Sequence, residues 1–421
     1  MSAFQPAGGS KAPASAFSAK KYAFPPMDLL LKQDALVSEE TRAEAGQGLR
    51  LFEKTLKESR VDFSEIGYVC GPTVTRYEFT PAASVRAKAL SDLAVNLALA
   101  FGVSNVRMVQ VPGKSAVGAE VANKASNPVR LRSVLESGRL ANESSATAVA
   151  LGVNVAGEPV AFDLAEMPHL LVSGAVNMGK SVCINAMVTG LLFRASPEDL
   201  KLLLIDPKAV ELAPYEGIPH LLAPVVTSAT DAAVALQAAT LEMESRFELL
   251  LKAGAKNLQT YREIAKRDPN LPRMPYLVVV IDDLADLMLP ARGRIEEPLC
   301  RLLQKGRACG IHLILGTQRP SVDVVTGLIK ANIPSRIALT VASQIDSRNV
   351  LGVGGAEKLI GRGDLLFLPV GATCPERVQC ALVLQDEVAR VCSFLRSQNG
   401  GADHDEKFIQ KMKELSAKAD K

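Results

Sequence analysis

The chain has no run approaching the ~20 uninterrupted apolar residues that a membrane-spanning helix requires, and its first 21 residues lack the apolar segment of a secretory signal. A soluble, cytoplasmic protein is expected, with no membrane segment in this chain. Seven cysteines, at 70, 183, 300, 309, 374, 380 and 392, form no CxxC pair and no Cys/His ligand spacing. That pattern speaks against a disulfide framework and a zinc site, and the thiols read as reduced and mostly buried. An excess of one charge is missing too: 48 basic residues against 45 acidic ones leave +3, too little to argue for nucleic acid by itself. Any basic surface must be local. What the chain does have is length and apolar content. Its 421 residues leave room for two or three domains, and 48% hydrophobic residues supply ample core.

Composition divides the chain into four stretches. Residues 1–21, rich in Ala, Ser, Lys and Gly, have few large apolar groups to offset the entropy of ordering and are expected to be a disordered tail. From 22 to 150 the pattern predicts a smaller α+β domain. Leu49, Leu51, Phe52 and Leu56 recur at helical spacing between Glu39 and about Ser59, and a strand from Val69 to Phe79 alternates beside the turn-forming Gly71-Pro72. A helix from about Ser91 to Phe101 and a strand from Val106 to Val111 follow, and residues 133–150 read as the exit. From 151 to 395, apolar runs recur at Leu170–Val172, Lys201–Ile205, Tyr276–Ile281, Ile311–Leu315 and Arg336–Val341, separated by helical patterns. Continuous apolar strands indicate a mainly parallel sheet covered on both faces, an α/β fold. The remaining residues, 396–421, are a charged tail, in which Gly400–Lys421 predicts a short solvated helix.

One segment carries chemistry outright. Gly174-Ala175-Val176-Asn177-Met178-Gly179-Lys180-Ser181 stands between the run His169–Ser173 and a helical stretch beginning near Val182, which is GxxxxGK[ST] in the strand-loop-helix context it needs. The two glycines let the loop wrap around phosphates, and the backbone amides face the anion. Lys180 can reach β/γ oxygens, and Ser181 can hold Mg²⁺. ATP is the expected ligand, with Val182 completing its site; the alternative is a glycine turn carrying an exposed lysine. Other runs also end in polar residues, where a doubly wound sheet places its ligand: Asp206-Pro207-Lys208, Asp282-Asp283 and Gly316-Thr317-Gln318-Arg319. Asp282, behind four aliphatic residues, is the candidate Walker B ligand for Mg²⁺. Asp283 is the candidate for orienting the attacking water, and Thr317-Gln318 for sensing the γ-phosphate. Either aspartate alone would read as a strand-end cap, but a P-loop ~100 residues upstream makes that the minority reading.

These residues carry a resemblance. Ile205-Asp206-Pro207-Lys208, Tyr215–Leu221, Ala285–Met288 and above all the run from Gly316 to Pro334 resemble the motor of the FtsK/SpoIIIE DNA translocases. Gly71–Phe79 and Val111–Lys114 resemble that family's α domain, and Met167–Leu171 its entry into the RecA-like β domain. The resemblance covers roughly residues 22–390. It implies a RecA-like P-loop NTPase that assembles as a homo-hexamer and passes double-stranded DNA through its centre. The layout resembles an isolated αβ motor, and neither the family's membrane region nor its γ domain is expected in this chain.

Three departures from the family pattern bear on turnover. The family has Asp-Glu where this chain has Asp282-Asp283, so the second carboxylate is withdrawn by one methylene. Its Ser-Lys-Ile-Asp-Ser-Arg segment reads Ser343-Gln344-Ile345-Asp346-Ser347-Arg348 here, losing a charge thought to reach a neighbour's nucleotide. Ala175–Met178 stands where the family favours small residues with a further glycine. Arg307 occupies the position of a possible arginine finger, or of a solvated helix-end cation. Arg319, Lys330 and Arg336 flank the signature loop that resembles the family's DNA-contact region, where a few donors per subunit would suffice for phosphate contacts. His169, His220 and His312 stand beside no nucleophile and read as packing residues. Two functions are expected in order: an ATP-driven double-stranded DNA translocase for chromosome segregation or DNA processing, and a nucleotide-gated DNA-binding or ring-scaffold paralogue with weakened hydrolysis.

Overall fold

The computed structural model describes residues 22–111, 113–398 and 404–419, with backbone alone at 139 and 419; the tail expected over 1–21 lies outside them. The first unit starts at Ser38, whose hydroxyl accepts from the Thr41 amide at 3.1 Å and caps helix α1 (Glu39–Glu58), with Glu39 and Glu40 at its positive end. A hairpin of β1 (Phe63–Cys70) and β2 (Val74–Pro81) follows, then α2 (Ala87–Phe101), β3 (Arg107–Gln110) and β4 (Val117–Ala122). The four strands make an antiparallel sheet in the order β1-β2-β4-β3. Phe52, Leu56, Leu93 and Leu97 from the helices pack on Tyr77 and Phe79, and the Phe52 and Tyr77 rings stack at 5.2 Å. The single strand expected over Val69–Phe79 is two strands turning at Gly71-Pro72-Thr73. A side chain at Gly71 is excluded because its Cβ would lie 2.4 Å from the Val155 carbonyl oxygen in the second unit.

That second unit is one large sheet with helices on both faces. Its chain runs through β5 (Val129–Arg130), α3 (Leu131–Leu135), α4 (Gly138–Ala141), β6 (Ala148–Asn154), β7 (Pro159–Asp163) and β8 (His169–Ser173). Then come α5 (Lys180–Leu192), β9 (Leu200–Ile205), α6 (Ala229–Ala253), α7 (Leu258–Ala265), β10 (Tyr276–Ile281) and α8 (Leu284–Lys305). The rest is β11 (Ile311–Thr317), α9 (Gly327–Asn332), β12 (Ser335–Leu339), α10 (Gln344–Leu351), β13 (Asp364–Leu368), β14 (Glu376–Leu382), α11 (Gln385–Arg396) and α12 (Glu406–Ala419).

The strand order is β7-β6-β14-β13-β12-β8-β11-β10-β9, with β5 beside β14. The five strands β12-β8-β11-β10-β9 are parallel, and they are the five apolar runs of the sequence. Alternate residues serve opposite faces: Leu170 and Val172 join one core layer with α5 and α11, while Leu171 joins the other with α6 and α8. Both faces being dry explains why these runs are continuously apolar. Antiparallel β13, β14, β6 and β7 extend the sheet on one side.

Three expectations about organisation need correction. Residues 133–150 do not close the first unit: Val134, Leu135, Leu140 and Val149 are buried against the large sheet. The stretch from Tyr22 to Leu36 also lies on the large unit. Leu30 is buried there, the Leu31 amide donates to Glu387 at 2.7 Å, and Arg390 donates to the Leu29 carbonyl at 3.0 Å. This entering strand is bonded to the segment that leaves the first unit, since Gln33 donates to the Pro128 carbonyl and accepts from the Arg130 amide. Finally, the C-terminal helix is docked rather than solvated. Phe408 is buried, Ile409, Met412 and Leu415 pack on the α6–α8 layer, and Lys411 reaches Glu242 at 3.4 Å. An apolar stripe hidden among its charges drives this burial.

Candidate nucleotide site

The carboxyl ends of the parallel strands converge on one rim of the sheet. At the end of β8 the chain turns through Gly174–Gly179, with Asn177 and Gly179 in the left-handed region (φ +63° and +103°), and α5 begins at Lys180. Neighbouring strand ends fasten the loop. The Gly174 amide donates to the Thr317 carbonyl at 3.3 Å, the Ala175 amide to the Thr340 carbonyl at 2.8 Å, and the Gly363 amide to the Met178 carbonyl at 3.1 Å. Both glycines are packed from behind: a Cβ at Gly174 would meet the Leu339 Cβ at 2.8 Å, and one at Gly179 the Gly363 nitrogen at 2.8 Å.

Lys180 and Asp282 form the buried centre. The ammonium donates to Asp282 Oδ1 at 2.7 Å and to the Asp282 carbonyl at 2.6 Å, and both side chains are nearly inaccessible. Burial raises the Asp282 carboxyl above its ordinary range, and the Lys180 charge opposes that rise. The second oxygen, Oδ2, is buried with no hydrogen-bond partner. Such an orphan acceptor, beside the hydroxyl-bearing first turn of α5, suits a hard cation; the residues present fit Mg²⁺.

Asp283 is committed differently. Its Oδ1 accepts from the Ala285 amide at 3.3 Å and so caps α8, while Oδ2 accepts from Lys208 Nζ at 2.9 Å. Burial works against the Lys208 charge, but Asp283 and Asp286 hold it up at about 12. Asp283 is therefore a cap at the strand-end rim, as one of its two sequence readings has it. Asp206, fully buried, accepts from the amides of Lys208, Val210, Glu211 and Leu212 and folds the loop that delivers Lys208. Lys208 was visible in the Asp206-Pro207-Lys208 run as a strand-end residue, but its partner lies beyond the end of another strand, β10.

The other candidates disperse. Thr317 is buried and exchanges hydrogen bonds with Arg319 backbone, which leaves Gln318 half-buried at the rim beside the loop. Arg319 is exposed and Lys330 half-buried, with burial and the nearby Arg336 lowering the Lys330 pKa. Arg336, half-buried, is engaged within its own chain. It donates to the carbonyls of Ile333, Val350 and Lys330 at 3.0, 3.1 and 2.9 Å and ties the signature loop to β12 and α10. Gln344 and Arg348 are exposed on α10. Arg307 lies just before β11, at the opposite end of the strands from Gly174. It is exposed and lines a polar cleft of about 1180 Å³ with Arg194, Arg262, Tyr276 and His312. A strand of this length spans roughly 20 Å, so Arg307 serves no phosphate of its own loop.

The sequence reading also passed over a loop that abuts the phosphate loop. Gly361, Arg362 and Gly363 are all left-handed (φ +83°, +54° and +86°). Asp364 anchors them: its Oδ2 accepts from the Ile360 amide, and Arg377 grips both its oxygens at 2.9 and 2.6 Å. Arg377 also donates to Glu120 of β4 at 2.9 Å, and Arg107 reaches the same Glu120 at 3.0 Å. A buried chain of charges thus joins the first unit to the loop beside Met178. The Gly-Arg-Gly spacing was the available signal.

Gly-rich loop, buried lysine, strand-end aspartate and doubly covered parallel sheet together define a P-loop ATPase fold of the RecA-like kind. The chain belongs to the FtsK/SpoIIIE family: the FtsK alpha domain profile matches residues 24–123 and the FtsK/SpoIIIE family profile residues 130–322. It is 46% identical to the DNA translocase SpoIIIE of Bacillus subtilis over 396 residues, which cover 93% of this chain and 50% of that protein. With the DNA translocase FtsK of Clostridium tetani it shares 44% over 394 residues, 93% of this chain and 53% of that one. The chain therefore spans about half the length of the curated relatives it matches. Among solved structures it is similar to the pCW3 conjugation coupling protein TcpA with ATPγS (TM-score 0.58, 22% identity, 83% of this chain and 99% of that one). The cytoplasmic domain of the Thermomonospora curvata type VII secretion ATPase EccC matches with TM-score 0.57 and 24% identity over 67% of this chain and 36% of that one. No helix among the described residues is long and apolar enough to cross a membrane.

Proposed function

We propose that this chain is the motor of an ATP-driven double-stranded DNA translocase, binding Mg-ATP at Gly174–Val182. The observation that carries the reading is the buried Lys180–Asp282 pair, with its orphan Oδ2, at the mouth of a left-handed glycine loop. When a triphosphate arrives, the loop amides and Lys180 compensate its charge, and Lys180 exchanges Asp282 for phosphate oxygens. Ser181 and Asp282 would hold Mg²⁺, whose charge neutralises β- and γ-oxygens. Gln318, at the same rim, would sense the γ-phosphate. The relatives named DNA translocases support duplex DNA as the track.

Assembly follows from Arg307. Lying at the far end of its own sheet, it can contribute to hydrolysis only from a neighbouring subunit, and a homo-hexameric ring supplies that neighbour. Arg319 and Lys330 remain for phosphate contact in the pore, without Arg336. One observation favours the second reading, a ring with weakened hydrolysis: both Asp283 oxygens are engaged, so orienting a water costs either the α8 cap or the Lys208 ion pair. The test is ATP turnover with and without unrelated duplexes, together with displacement of a triplex roadblock. A translocase hydrolyses ATP faster on every duplex, clears the roadblock and loses affinity steeply with salt. Nucleotide-dependent duplex binding without turnover would establish the scaffold instead.

A further inference from the structure

We infer that Lys208 is a positioning residue for hydrolysis, swinging from Asp283 to Asp286 and so freeing one Asp283 oxygen to orient the attacking water. The inference deepens the reading of this rim as an ATP-hydrolysing site and rests on it. Both Asp283 oxygens are engaged, Oδ1 by the Ala285 amide and Oδ2 by the Lys208 ammonium, which draws off the negative charge that a water would need. One bond has to be given up. Losing the first uncaps α8. Losing the second isolates a buried carboxylate from its counter-charge, unless the ammonium finds another acceptor close by.

Asp286 is that acceptor. It stands in the first turn of α8, and its Oδ2 lies 3.1 Å from the same Lys208 Nζ. The contact is an ion pair without hydrogen-bond alignment: this oxygen is shielded from water and accepts no hydrogen bond among the described residues. A small rotation of the lysine stem would complete that bond while surrendering the one to Asp283. The ammonium keeps a partner throughout and stays near Asp283, which loses a hydrogen bond but not the neighbouring charge. Exposure favours the exchange, since the Asp283 side chain is 4% exposed whereas those of Lys208 and Asp286 are 43% and 38% exposed. Only the side chain has to move. The backbone beneath it is fixed, because Asp206 accepts from the amides of Lys208, Val210, Glu211 and Leu212, and Ala209 is left-handed at φ +55°. Rotamers of a half-exposed lysine exchange far faster than any turnover.

The two ends of the bridge predict opposite signs. Asp286→Asn removes the charge that receives the ammonium, holds Lys208 on Asp283, and should lower kcat for ATP on duplex DNA about threefold, the worth of one hydrogen bond. Lys208→Met leaves Oδ2 free and should raise kcat by about the same factor. Both should keep the KM for ATP within about twofold of wild type, because the exchange acts on the chemical step and not on binding. In the double variant Asp286 has no ammonium to receive, so its kcat should equal that of Lys208→Met rather than the product of the two single effects. A merely structural pair loses rate at both positions. Losses at both, gains at both, an unchanged Asp286→Asn, or a double variant as slow as Asp286→Asn overturns the inference. Should Lys208→Met fail to fold, Asp286→Glu decides: it restores the receiving charge and should return kcat to the wild-type value, and a rate no better than that of Asp286→Asn overturns the inference. A wild type without ATP turnover removes the hydrolytic reading itself, whereas an active wild type with failing variants removes the Lys208 exchange alone.

Discussion

The two ends of the parallel strands are chemically opposite. At the carboxyl rim, Lys180, Asp206, Asp282 and Asp283 are buried, and each is held by named partners. At the amino rim, the three buried histidines make no hydrogen bond to a carboxylate among the described residues, and an open cleft exposes Arg307. His169 begins β8, His312 sits near the start of β11, and His220 bonds the Ala195 carbonyl at 2.9 Å beside β9. Burial, with His312 alongside, pushes His169 down to about 3, and burial pushes His220 and His312 down to about 4. One set of strands therefore ends in a buried charged centre with one acceptor left open on one side, and in buried neutral histidines beneath a polar cleft on the other. In the proposed function the first rim serves ligand chemistry, and the second serves assembly and fold maintenance.

The largest effect belongs to the carboxyl rim. Lys180→Ala should cut Mg-ATP affinity on the order of 100-fold, the worth of about 3 kcal/mol of charged hydrogen bonding. It should also lower stability, because Asp282 is left buried without its counter-charge. Undiminished affinity by calorimetry would move the nucleotide elsewhere. Arg307→Ala probes the opposite rim. In assembled protein on DNA it should reduce turnover by about 10³-fold with nucleotide affinity unchanged, and mixing it with Lys180→Ala subunits should restore part of the rate through interfaces that keep both groups. Mixed rings without recovered activity would leave Arg307 a solvated cation.

Acid should find the amino rim first. A histidine whose folded pKa is depressed leaves the native state with fewer protons than the unfolded chain, so the stability it permits is complete above pH 6.5 and drains away as pH falls towards about 4. Each should cost on the order of 2 kcal/mol by pH 5. Urea midpoints at pH 7 and pH 5 should therefore differ less in His220→Gln, which keeps a donor for Ala195, than in wild type; equal pH dependence would deny His220 this part. The smallest effect is expected at Asp283. Asp283→Glu, or Lys208→Met to release one of its oxygens, should raise DNA-stimulated ATP turnover a fewfold if the committed carboxylate limits water orientation. No change in either variant would show that the α8 cap and the Lys208 pair leave turnover untouched.

The parallel strands and the phosphate loop were legible because both depend on local pattern: five dry strands must be continuously apolar, and a phosphate cradle needs glycine at fixed offsets. What stayed hidden depends on long-range pairing. Nothing near Lys208 in the chain names Asp283, and nothing near Arg377 names Glu120, 257 residues away. Arg336 looked like a free cation because sequence shows charge and not the three carbonyls that claim it. The C-terminal helix looked solvated for a related reason: Phe408, Ile409, Met412 and Leu415 are few among many charges, yet they fall on one face. The edges of the first unit were misplaced because composition does not change where the chain crosses from one sheet to the other.

That crossing has a mechanical consequence. The small sheet hangs from the large one on two strands of chain, one arriving through Gln33–Leu36 and one departing through Asn127–Arg130, and these two are laced together by side-chain bonds from Gln33 and Asn127. A body held on paired tethers resists twisting far better than one on a single flexible link, and a pull on it divides between two covalent paths. Any thrust generated where ATP is consumed would therefore reach the small sheet as a stiff lever stroke, with little slack to take up first.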